Sequence, residues 1–138
     1  MAAWGSYSGG KLVAGRNYDA HSYSEIGKDI IPAVELKYNT YLEEGTDGAI
    51  RATRDHRAFS GYSRGAVMTW RMLHYDFEYF RWFCPTSGGI SGEKPLPFPP
   101  GSAPRPTYTD EEILEYVTAP IKANPDLPFF IYGASGGV

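Results

Sequence analysis

The stretch Ala58-Phe59-Ser60-Gly61-Tyr62-Ser63-Arg64-Gly65-Ala66-Val67 decides the fold. Its first five residues read as a short strand. From about 64 to 74 the spacing of Ala66, Val67, Trp70 and Leu73 predicts a helix with those four on its buried side. Between strand and helix lies Gly61-Tyr62-Ser63-Arg64-Gly65, a Gly-x-Ser-x-Gly pattern. At a sharp strand-to-helix turn this pattern lifts the serine hydroxyl above the sheet edge. Glycines flank the serine because the turn strains its backbone and brings strand and helix close together. The helix N-terminus aims free N–H groups at a developing oxyanion. Ser63 is therefore a candidate nucleophile, with Gly61 and Gly65 as the glycines of the elbow. The bland alternative is a structural turn serine.

The same pattern recurs at 133–137 around Ser135. In a chain with sixteen glycines the pattern alone is weak, and context must decide. Ser135 follows a strand, but no helix is seen after it. Ser63 has both neighbours.

Outward from the motif, strands and helices alternate. Residues 1–21 carry Gly5, Gly9, Gly10 and Gly15 without periodicity and read as loop. A helix is expected over roughly 23–42, with Ile26, Ile30, Val34 and Tyr38 lining one apolar face and Pro32 kinking it. Residues 43–48 form a polar turn. Phe80 to Ser87 reads as a second strand. Residues 88–108 hold six of the eleven prolines, a long irregular loop. It is a candidate lid or a plain surface excursion. Thr109-Asp110-Glu111-Glu112 is a capping box that opens a helix to about 122. Pro128 to Tyr132 is a third strand, apolar enough to be covered on both faces. This alternation predicts parallel strands joined by right-handed crossovers, an α/β fold.

Composition narrows the function. Apolar residues make up 42% and charged residues 21%, an ordinary globular balance. The net charge is −3 with thirteen scattered Lys and Arg, which gives no reason to expect a nucleic acid or a membrane surface as partner. No apolar run is long enough to span a bilayer. Residues 1–7 lack the charged start and apolar stretch of a signal peptide. The single Cys84 excludes an intrachain disulfide and a multi-cysteine zinc site, and its apolar neighbours suggest a buried, inert thiol. Three isolated histidines give no expectation of a metal, and no cofactor is implied. Eleven tyrosines either pack half-buried or line a carbohydrate or aryl cleft, and packing is the expectation for most.

A serine nucleophile needs a base. His56 lies seven residues before Ser63 across the strand, roughly 20 Å away. His74 lies eleven residues along the following helix, roughly 16 Å away. Both are too far. His56 is expected to order the approach to the strand by hydrogen bonding. His21 precedes a helix antiparallel to the strands, so it could sit on the Ser63 side, although a water-exposed loop histidine is the simpler reading.

These residues resemble the esterase branch of the α/β-hydrolases, especially the feruloyl-esterase modules attached to xylanases. The resembling pieces are Asp29-Ile-Ile-Pro-Ala-Val-Glu35, Thr53-Arg-Asp-His-Arg-Ala-Phe-Ser-Gly-Tyr-Ser-Arg-Gly65, Thr69-Trp70, Tyr79-Phe80 leading into Pro85-Thr-Ser-Gly88, and Pro128 to Ser135. They cover about residues 22–138, and 53–65 is the most specific. The resemblance implies an α/β-hydrolase-like three-layer sandwich with parallel central strands, incomplete in this chain. It implies a serine carboxylesterase for ester side groups, feruloyl or acetyl, of plant cell-wall polysaccharide. The partner would be an ester-substituted carbohydrate or small ester. Ser63 would attack the ester carbonyl, and the Arg64 backbone N–H would supply one oxyanion donor. The family places its catalytic acid after the strand that here ends near Tyr132, and its histidine after the next strand, so neither is assignable. The family usually has Met where this chain has Arg64. Its guanidinium could meet an acidic sugar or simply point to solvent, and solvent is the expectation.

Three parallel strands with helices do not close such a core. The chain is therefore expected to be the central part of one α/β-hydrolase domain, a fragment that is poorly stable and inactive alone. The parent protein would act outside the cell. An acyltransferase of the same fold and a non-catalytic carbohydrate-binding module are the competing readings.

Overall fold

The computed structural model describes residues 6–8, 11–13, 22–90 and 108–136. His21 and residues 91–107 of the Pro/Gly-rich loop lie outside the described residues.

Near the N-terminus two short strands, β1 (Ser6–Ser8) and β2 (Lys11–Val13), pair antiparallel. The sequence reads this region as loop, because strands of three residues are too short to leave a periodic trace. The next segment also departs from expectation. It is one π-helical stretch, Ser22–Ile30, running into a short helix α1 (Ile31–Glu35), and it stops well before 42. The expected apolar face is wrong. Ile30, Val34 and Tyr38 are 44%, 47% and 60% exposed. The wider turn of a π-helix rotates the chain off the 3.6-residue stripe. Ile26 and Ile31 pack into the core instead. Gly27 lies flat on Tyr79, where a Cβ would stand 2.6 Å from the ring.

Helix α2 (Asp47–Ala52) is capped by the Thr46 hydroxyl, and a single 3₁₀ turn, Arg54–His56, leads to the sheet. Two arginines bind this junction together. Arg57 grips both Glu35 oxygens at 2.6 and 2.7 Å and donates to the Ile50 carbonyl at 2.5 Å. Arg54 donates to the carbonyls of Phe80 at 2.6 Å, Pro128 at 2.7 Å and Phe77 at 3.1 Å. Both side chains are buried. Their forked donors suit carbonyl-rich chain ends that a lysine could not satisfy. The His56 backbone N–H donates to the Thr53 carbonyl at 3.1 Å, but its ring makes no hydrogen bond among the described residues. It stacks on Tyr41 with ring centroids 3.5 Å apart.

The sheet follows: β3 (Ala58–Tyr62), helix α3 (Arg64–Tyr75), β4 (Trp82–Thr86), helix α4 (Asp110–Ala123) and β5 (Phe130–Ile131). The order is β3-β4-β5 and every pairing is parallel, as the alternation predicts. The capping box at Thr109 and Glu112 is present. Phe59 and Phe83 point from the sheet toward α3, whose Met72 and Leu73 are fully buried. Phe77 and Phe80 close the core, with Val117 and Ile121 of α4 behind them.

The opposite sheet face is different. Tyr62, Trp82, Phe130 and Tyr132 are 72%, 38%, 51% and 74% exposed. β5 has the apolar sequence of a strand covered on both faces, yet among the described residues only Trp82 and Arg81 lie over Phe130, and the strand is Phe130–Ile131 rather than the expected Pro128 to Tyr132. Cys84, on this face, is half-buried rather than buried. The described residues thus supply the sheet and the helical layer on one side of it.

Candidate active site

Ser63 stands where β3 turns into α3, at φ 55° and ψ −110°. A non-glycine residue at positive φ is strained by about 1–3 kcal/mol and persists only where its neighbours fix it. Five contacts do so. The Ser63 N–H donates to the Thr86 carbonyl at 2.9 Å, which ties the bend to β4. The Ser63 carbonyl accepts from the N–H groups of Ala66 at 3.0 Å and Val67 at 3.3 Å. Gly61 packs against the Gly65 backbone so tightly that a Cβ would come within 2.2 Å of it. Gly88 packs against the Ser63 carbonyl, where a Cβ would be 2.5 Å from the oxygen.

The two elbow glycines are not equivalent. Gly61 is needed for close approach, whereas a Cβ on Gly65 would meet nothing within 4 Å. Gly88 carries the requirement that the motif leads one to place on Gly65.

The Ser63 side chain is exposed and makes no capping hydrogen bond, although it occupies the N-cap of α3. Serine normally caps through its hydroxyl, so this one is left available. The Arg64 N–H lies in the first turn of α3, where backbone donors have no intrahelical partner. The positive end of the helix dipole adds to it. The Arg64 side chain is exposed, in line with a solvent-directed guanidinium. Together these groups can direct a hydroxyl and a backbone donor at one carbonyl.

The other candidates fall elsewhere. His56 sits at the far end of β3, stacked on Tyr41. His74 ends α3, with its Nδ1 2.7 Å from the Tyr116 carbonyl oxygen and its ring stacked on Tyr116. Neither reaches Ser63. Burial pushes the Asp76 carboxyl up to about 7, but Asp76 follows α3, roughly 20 Å along the helix from Ser63. Ser135 is exposed and its hydroxyl turns toward the Gly136 carbonyl at 3.4 Å, with no helix described after it.

Three residues of the site escape the sequence reading. Thr86 offers only its carbonyl, which no pattern marks. Ser87, at φ 52°, turns the chain at the end of β4 and donates its N–H to the Ala134 carbonyl at 2.7 Å. Trp70 donates its ring N–H to the Gly88 carbonyl at 3.1 Å. All three fall in the resembling pieces Thr69-Trp70 and Pro85 to Gly88, which mark the region but give none of them its contact.

The chain is 39% identical over 83 residues to endo-1,4-beta-xylanase Y of Acetivibrio thermocellus, over 60% of this chain and 7% of that protein. A serine-to-alanine mutant of the feruloyl esterase module from Clostridium thermocellum, complexed with sinapinate, superposes with a TM-score of 0.65 at 27% identity. The fold is that of an α/β-hydrolase resembling feruloyl-esterase modules. A second structure, of FAE, gives a TM-score of 0.65 at 28% identity. Each superposition covers 95% of this chain and 40% of the solved one. No family model matches. The chain therefore spans less than half the length of the proteins it resembles.

Proposed function

We propose that this chain carries the nucleophile elbow of a serine carboxylesterase that removes feruloyl or acetyl groups from xylan, with Ser63 forming the acyl-enzyme. The reading is carried by the strained bend at Ser63, which leaves an uncapped hydroxyl beside an open helix N-terminus. The kinship with feruloyl-esterase modules supplies the substrate class.

In the proposed reaction the Ser63 Oγ attacks the ester carbonyl carbon as a base takes its proton. The carbonyl oxygen becomes an oxyanion and accepts a hydrogen bond from the Arg64 N–H. Collapse breaks the bond from the carbonyl carbon to the sugar oxygen, which takes the proton from the base and leaves as a hydroxyl, with the acyl group on Ser63. Water then attacks that ester and releases the carboxylic acid. His56 and His74 are held in other contacts, so neither serves as the base. We propose that acid and base come from the remainder of a longer α/β-hydrolase domain, which acts on cell-wall polysaccharide outside the cell.

The test is ester cleavage by the full-length polypeptide on feruloylated xylo-oligosaccharide, followed by release of ferulate. Ser63→Ala should lower kcat by roughly 10⁴-fold or more. Full activity in that variant would refute the assignment. Diversion of the acyl group to added sugar would indicate a transferase instead.

A further inference from the structure

We infer that Trp70 and Gly88 form a latch that holds Ser63 in its strained conformation, making Trp70 a positioning residue for the reaction. This rests on the reading of Ser63 as nucleophile and deepens it. Three observations bear on it independently.

The Ser63 backbone is at φ 55° and ψ −110°, a state that relaxes unless something prevents it. Gly88 is in the place to prevent it. Its backbone abuts both the Ser63 carbonyl and the Ala66 side chain, where a Cβ would lie 2.5 and 2.7 Å away. The Gly88 backbone thus lies directly against the Ser63 carbonyl and limits how far that peptide can turn. Gly88, however, sits past the end of β4, in irregular chain with no strand partner of its own. Its neighbour Ser87 is tied to the Ala134 carbonyl at 2.7 Å, and Trp70 supplies the restraint on residue 88 itself. It stands two turns along α3 from Ser63, and its indole N–H donates to the Gly88 carbonyl at 3.1 Å. The same helix thus carries the strained serine at its start and the tether for the wedge against it. The tether touches neither hydroxyl nor oxyanion donor, so its loss should misplace the hydroxyl without removing any group that binds substrate.

The experiment uses the full-length polypeptide in three forms: wild type, Trp70→Phe, and Trp70 replaced by benzothienylalanine. The last keeps the shape of the indole but has no N–H. Both replacements should lower kcat roughly tenfold to a hundredfold with KM unchanged, as a sub-ångström to ångström misplacement does. They should slow fluorophosphonate labelling of Ser63 by the same factor, with the melting temperature nearly constant. Trp82→Phe removes a comparable indole hydrogen bond, to the Asp55 carbonyl at 3.0 Å, at the far end of the sheet. It should leave kcat unchanged. If Trp70→Phe fails to fold, the benzothienyl form decides. Unchanged kcat in the benzothienyl form, or an equal fall in the Trp82 control, would overturn the latch. Full activity in Ser63→Ala would instead overturn the nucleophile assignment, so the two failures are distinguishable.

Discussion

Asp76 is 1% exposed, and neither carboxylate oxygen has a hydrogen-bond partner among the described residues. Burial lifts its pKa to about 7, and the charge of Lys28 only partly opposes this. The folded carboxyl then holds a proton that the unfolded one, with a pKa near 3.8, releases. Stability must fall as pH rises from about 4 to about 7, and level off above that. Asp76→Asn should abolish this slope and stabilise the protein at pH 7.5 by up to a few kcal/mol. Denaturant titration at pH 4.5 and 7.5 checks it, and an equal effect at both pH values would contradict it. Ser63 offers a second test at this scale. Ser63→Gly should raise stability by about 1 kcal/mol, because glycine accepts positive φ without strain. No motif announces Asp76. A carboxyl amid Tyr75, Phe77 and Tyr79 reads as an ordinary helix end until the fold buries it.

The element around the site makes a sharper prediction. Gly61 and Gly65 look alike in sequence but differ in space. Gly61→Ala should destabilise by about 1–3 kcal/mol, since strand and helix must part. Gly65→Ala should be neutral or stabilising by up to about 1 kcal/mol, because alanine at this helical position leaves the unfolded chain less backbone freedom to lose. Thermal melts of the two variants compare them directly. The strand-turn-helix itself was legible, because apolar strand, glycine bend and helical spacing all agree over ten residues. The first helix was not, because a π-helical stretch breaks the periodicity on which the reading relied. Arg54 and Arg57 also escaped notice. An arginine reads as surface until its carbonyl and carboxylate partners are known, and those come from residues as distant as Pro128. Arg57→Ala should therefore cost about 3–5 kcal/mol, far more than a surface arginine, because it leaves Glu35 without its counter-ion.

Across the whole molecule, the parallel sheet of an α/β fold was readable from the alternation of elements. What covers its second face was not, since an apolar strand records that it is buried but not by which residues. Trp82 and Phe130 stack there with ring centroids 4.6 Å apart, both exposed. The 138-residue chain should accordingly bind a hydrophobic dye and self-associate, and Phe130→Lys should reduce both. The nucleophile bend is the claim on which the functional account stands. Its most direct test is fluorophosphonate labelling of the full-length polypeptide followed by peptide mapping. The account predicts one covalent adduct, on Ser63, abolished by Ser63→Ala. An adduct on another serine, or none in a protein that still cleaves esters, would contradict it.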